Sequence, residues 1–117
     1  MLRQLVAVAT LVAGISAAGA ADYRGAAMCG VMGRSPILDL PSVGDMNAEV
    51  SRRLDISIQV ASMPTTIDST STRFVWASET KAACGIAVGY FAGGEINDEF
   101  VSKCDCFYRR MQGMPTR

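Results

Sequence analysis

The chain contains no histidine. That gap removes the Ser-His-Asp and Cys-His pairings that activate a nucleophile. It also removes the imidazole ligands of the usual zinc and copper(II) sites. A surplus of one charge is missing too: 11 Lys and Arg stand against 11 Asp and Glu. Without a basic excess nothing neutralises nucleic-acid phosphates or holds an anionic bilayer, so neither is an expected partner. Long apolar runs are also absent. The longest candidate, from Leu5 to Ala13, is broken by Gly14 and falls well short of the roughly 20 residues a membrane helix needs.

What stands at the N-terminus instead is a secretion pattern. Arg3 supplies a positive start, Leu5 to Ile15 form a short apolar stretch, and Ala18-Gly19-Ala20 resembles a signal-peptidase site. Residues 1–20 are therefore expected to be a cleaved signal peptide, and 21–117 a single small exported helical domain, periplasmic or secreted. Removing 20 of the 117 residues leaves 97 and takes Arg3 with it, so 10 bases face 11 acids and the net charge is −1. Cys29 lies too far beyond the signal to be a lipoprotein cysteine.

All four cysteines (Cys29, Cys84, Cys104 and Cys106) fall after the signal. An even count in an exported chain reads as a disulfide framework, with three possible connectivities. A domain this small gains much from such ties. The segment KCDCFYRRM, from Lys103, holds the closest pair.

The coarse reading is all-α. Asp22 to Val43 looks irregular, with Gly25, Gly30, Gly33, Pro36 and Pro41 and a short helical turn around Ala26 to Met32. Gly44 to Met63 reads as a helix with Asp45 as N-cap and Met46, Val50, Leu54, Ile58 and Ala61 on one face. Its ISIQV stretch alternates as a strand would. Ser62 to Thr72 is a loop by composition. Arg73 to Gly94 is mostly helix, with Trp76, Ala83, Ala87, Tyr90 and Ile86 on one side, and Gly93-Gly94 ends it. The last helix has Asn97 as N-cap, Asp98 and Glu99 in its first turn, and Arg109 and Arg110 in its last. Gly113 and Pro115 follow as stop signals, and Phe100, Cys104, Phe107, Tyr108 and Met111 make its apolar stripe.

On that helix Cys104 and Cys106 point about 200° apart, so they neither chelate together nor bridge each other. If the two final helices turn back around Gly93 to Ile96, Cys84 falls opposite Cys104. The preferred pairing is then Cys84–Cys104 with Cys29–Cys106; the alternative is Cys84–Cys106 with Cys29–Cys104. Gly85, Gly89 and Gly93 form a bare ridge, each costing about 1 kcal/mol of helix propensity against alanine. Phe100, Phe107 or the main chain of the last helix is expected to pack on or beside the ridge, so that Gly89→Leu would lower the melting temperature.

Sharper chemistries are weighed against this frame. A reactive thiol needs a depressed pKa, yet Asp105 sits between the two cysteines, and C-x-C is not the redox C-x-x-C. Met28, Cys29, Met32, Met111 and Met114 are soft ligands of the kind Cu(I) prefers, although methionines also fill irregular cores. Asp68 to Glu79 lacks the EF-hand glycine, with Arg73 in its place, and no phosphate-loop context surrounds the glycines. Asp98 and Glu99 already have a helix-dipole role. Arg109 and Arg110 beside Tyr108 are either a solvated helix end or a partner contact.

The sequence therefore points to a small disulfide-stabilised bundle of three to four helices with a C-terminal helical hairpin. Its expected function is a non-enzymatic interaction with an unidentified protein or envelope partner, without catalytic residues, metal or cofactor. The alternative is thiol redox or Cu(I) handling through its Cys and Met residues.

Overall fold

In the computed structural model, residue 29 and residues 33–67 and 72–114 are described. The expected signal peptide with its expected cleavage point, the expected helical turn around Ala26 to Met32, and Pro115 lie outside the described residues, save Cys29. The chain divides into two units, Met1–Val31 and Met32–Arg117. In the first, only Cys29 is described, a buried helical residue in a disulfide.

The second unit opens with a 3-10 turn, Pro36–Asp39. Ser35 caps it, accepting the Ile37 N–H at 3.2 Å, and Pro36 enters with its φ already set. Helix α1 follows, Val43–Ser62. Its N-cap is Ser42 rather than the expected Asp45: the Ser42 hydroxyl accepts the Asp45 N–H at 3.0 Å. Asp45 sits one turn in, where its charge still suits the helix dipole. The alternating ISIQV stretch is helical throughout.

The buried face of α1 differs from the expected stripe. Val50, Ser57 and Val60 are buried, while Ile58 is 42 % exposed. Ser57 tolerates that position because its hydroxyl donates to the Leu54 carbonyl at 2.7 Å, so its own polar atom is not buried without a partner.

Part of the expected loop is ordered as a single helical turn, α2, Pro64–Ile67, with Thr66 buried. Proline begins it, where its missing N–H costs nothing. Helix α3 is Arg73–Ala92 and helix α4 is Asp98–Met111. Gly94, at φ +80°, makes the left-handed step between them that L side chains rarely adopt. Asn97 then caps α4, accepting the Phe100 N–H at 3.1 Å. Gly113, at φ +70°, closes the far end.

Helix α3 packs along both α1 and α4, which touch each other less. Val60, Ala77, Tyr108 and Met111 form a core cluster, with Ile56, Ala61 and Trp76 packed against it. The described residues thus make an all-α bundle of four α-helices ending in a hairpin, braced by two disulfides.

The glycine ridge does not meet α4. A Cβ on Gly85 would approach Leu54 of α1 at 3.9 Å, and one on Gly89 would meet nothing within 4 Å. Of the aromatic rings expected on or beside it, one packs next to Gly89 and the other elsewhere. Phe107 stacks on Trp76 at 6.1 Å between centroids, and Phe100 on Tyr90 at 6.4 Å.

Candidate functional site

The segment with the most chemistry is Cys104-Asp105-Cys106 on α4. Cys84 and Cys104 are disulfide-bonded, with their Cα atoms 4.7 Å apart, and both are fully buried. Cys29 and Cys106 each take part in a disulfide as well, and no cysteine is free. Cys106, on the other side of the helix from Cys104, is buried as well. Helix α4 is therefore covered on more than its apolar stripe.

Asp105, between the two cysteines, is 5 % exposed. A buried carboxylate needs paired charge and hydrogen bonds, and three elements supply them. The Ser35 hydroxyl, ahead of the 3-10 turn, donates to Oδ2 at 2.9 Å. Arg53 of α1 pairs with Oδ1 through Nη1, and Arg109, one turn along α4, reaches Oδ1 with Nε at 3.2 Å. The Ser35 N–H also donates to Ser102 at 3.3 Å.

The network continues outward. Arg53 donates from Nε to Glu49 at 2.9 Å, and Arg52 grips the same carboxylate with contacts of 2.6 and 3.0 Å. The Arg52 bonds first, then Arg53, hold the Glu49 carboxyl well below the usual range, at about 2, against partial burial that pushes it up. Arg52 is correspondingly held protonated above its ordinary value, chiefly by Glu49 and then by Tyr108. The Arg53 guanidinium also lies over the Tyr108 ring, 4.6 Å from its centroid, a favourable cation–π placement.

This arrangement is suited to fixing geometry. Its acid is paired with two arginines and accepts a hydrogen bond from a serine, and its sulfur is closed. The sequence marked Asp105 only as an influence on thiols and Glu49 and Arg53 only as charged residues off the apolar face; Ser35 carried no mark. The available signal was spacing: Glu49 with Arg53 and Asp105 with Arg109 are both i,i+4 pairs, the separation at which helix side chains meet.

The remaining candidates disperse. Asp98 faces Arg34 at 3.7 Å and Glu99 holds Lys103 at 2.5 Å, so the adjacent acids serve different partners. Arg109 turns to Asp105, whereas Arg110 lies over Trp76 at 5.0 Å. Met111 is a core residue and Met114 is exposed. Among the described residues no group of three or more His, Cys, Asp or Glu is arranged to hold a metal ion, and no helix is long and apolar enough to cross a membrane.

One surface stands out. Helix α3 buries Ala77, Thr80, Ala83, Cys84, Ala87 and Phe91, yet its other side also carries apolar groups. Ile86 is 43 % exposed and Tyr90 38 %. With Gly89, Gly93 and Glu95 they line an open groove at the hairpin end. The expected inward stripe is thus divided: Ala83 and Ala87 face the core, Ile86 and Tyr90 face solvent.

No protein-family model matches the chain, and comparison with curated proteins and solved structures finds none similar to it.

Proposed function

We propose that this is an exported, non-enzymatic binding protein that meets a protein partner through the solvent side of α3 and uses its disulfides as bracing. The observation that carries this reading is the two-sided apolar character of α3. A helix apolar all round is normally covered all round, and here the side bearing Ile86 and Tyr90 is open. Gly89 deepens that side without a neighbour to fill it. Two closed disulfides are compatible with export, because such bonds persist in oxidising compartments.

Thiol redox and Cu(I) handling draw less support. Disulfide exchange requires a thiolate to reach a sulfur atom, and Cys84 and Cys104 have no exposed surface. Soft-metal binding through cysteine requires thiolates that the disulfides consume.

Site-specific photo-cross-linking in the native envelope tests the proposal. A photoreactive residue at Ile86 or Tyr90 should capture the same identified protein, and one at the exposed Asp55 of α1 should not. Absence of capture at both α3 positions, or equal capture at Asp55, would overturn it.

A further inference from the structure

The solvent side of α3 carries a size pattern that the reading above does not use. Val75, Ala82, Ile86 and Gly93 are all exposed. They fall on one line along the helix, with Val75 and Gly93 about five full turns apart, and none of the four is charged. Glu79 and Tyr90 border the line on the side of α4, where Tyr90 stacks on Phe100. Ser78 and Gly89 border it on the side of α1, which α3 approaches at Gly85.

This face is complementary to itself. Consider a two-fold axis lying in the face, perpendicular to α3 at the level of Cys84. It sets a second α3 antiparallel to the first and pairs positions equally far before and after Cys84. Ile86 of each copy then meets Ala82 of the other, and Val75 meets Gly93, so every bulky group falls on a small one. The same axis keeps each border against its own kind. Within one residue, Gly89 lies beside Ser78, and Tyr90 lies beside Glu79. Glu79 is half-buried and has no ion pair among the described residues. Across the axis it meets the Tyr90 hydroxyl, which can donate to it, with Lys103 beyond, over the Phe100 ring.

We infer that the occupant of the α3 face is a second copy of this chain, packed antiparallel about that axis in a weak, reversible dimer. The inference rests on the reading of α3 as the binding side and names its partner. An isologous contact requires one patch to fit itself, and the match here is of α3 with α3; an unrelated partner would not require it. The size of the face sets the strength. It is about 27 Å long, and a helix with its side chains is about 10–12 Å across. Two copies therefore cover a footprint on the order of 600 Å², below the roughly 1,200 Å² at which stable interfaces begin.

Sedimentation equilibrium of the exported protein with its disulfides intact, from about 5 μM to 1 mM, tests this. A monomer–dimer equilibrium is expected, with a dissociation constant on the order of 100 μM, as the small area implies. Ile86→Glu would bury a charge and should weaken association at least about tenfold. Ile67→Glu, at an exposed apolar residue of α2, should leave it unchanged. The register is read by exchange. Ala82→Ile and Ile86→Ala should each weaken the dimer, and the double variant Ala82→Ile/Ile86→Ala should restore it, because the axis sets these two positions against each other. Both are exposed in the single chain, so circular dichroism of every variant should match wild type. Monomer at all concentrations, undiminished association of Ile86→Glu, or a double variant no tighter than the single ones would overturn the inference. The two readings fail separately. Photo-capture of a different protein at Ile86, by a chain that stays monomeric, would remove the second copy and leave α3 as the binding side.

Discussion

Ser35 and Asp105, 70 residues apart in sequence, share a buried hydrogen bond of 2.9 Å. Through it the residue that caps the 3-10 turn is tied to the middle of α4. Arg53 brings α1 to the same carboxylate. The point at which three elements meet is thus polar, lying beside Cys104 and Cys106, and geometry there is set by direction as well as by volume.

Removing that acid should be costly. Asp105→Leu leaves Arg53 and Arg109 without their shared partner, and breaking a buried ion pair costs about 3–5 kcal/mol. At about 4–8 °C per kcal/mol for a domain of this size, thermal unfolding should move down by more than 10 °C. Asp105→Asn keeps an acceptor for Ser35 and should lie between the two. A Leu variant melting with the wild type would remove the hub from the account of stability.

The bridge between α3 and α4 closes a loop with a sequence separation of 20, for which chain entropy gives about 3 kcal/mol. The double variant Cys84→Ala/Cys104→Ala should lose stability on that order in chemical denaturation. Because both sulfurs are fully buried, a mild reductant should open this bridge in wild type no faster than the chain unfolds. Rapid reduction without unfolding would contradict the burial.

Acid should weaken the protein in a defined window. Glu49 has its folded pKa lowered from 4.5 to about 2. Its contribution is therefore fully present above about pH 4.5 and is lost as pH falls through about 2. Glu49→Gln should flatten the stability profile in that interval while leaving its shape near neutrality unchanged. The carboxylate is partly exposed, so the effect stays within about 1 kcal/mol. An acid limb of the same slope in both proteins would assign the loss to other groups.

Gly89 gives a test in the opposite direction. An added Cβ meets nothing within 4 Å, so Gly89→Ala should stabilise α3 by up to about 1 kcal/mol through helix propensity. Gly89→Leu should leave the melting temperature close to wild type, where the sequence alone suggested a marked fall. If the α3 groove receives a partner, Gly89→Leu should reduce photo-capture from Tyr90 while the fold stays intact. A strongly lowered melt for Gly89→Leu would mean that α4 does pack there.

Much of the architecture was legible because helix ends are written in local chemistry. Asn97, Gly94 and Gly113 mark boundaries that depend on few neighbours. The start of α1 was misplaced by one turn because Ser42 and Asp45 are both good caps, and only the three-dimensional path decides which accepts the amide. Ile58, expected on the buried face, is exposed, since a serine bonded to its own helix, Ser57, can be buried in the neighbouring position. The Asp105 hub was not legible for a related reason. Its partners come from residues 35, 53 and 109, and only folding brings the first two to it. The glycine ridge was read correctly as bare, but nothing in one sequence says which neighbour a bare face has.

The claim on which the rest depends is that sulfur is fully engaged in bracing, and peptide mapping of unreduced protein from its native compartment tests it most directly. Cleavage on the N-terminal side of Asp105 separates Cys104 from Cys106 and makes each bond individually visible. The expected result is a linked peptide pair containing Cys84 and Cys104, with no alkylatable thiol anywhere in the chain. Free thiols at these positions in the folded, freshly isolated protein would contradict it.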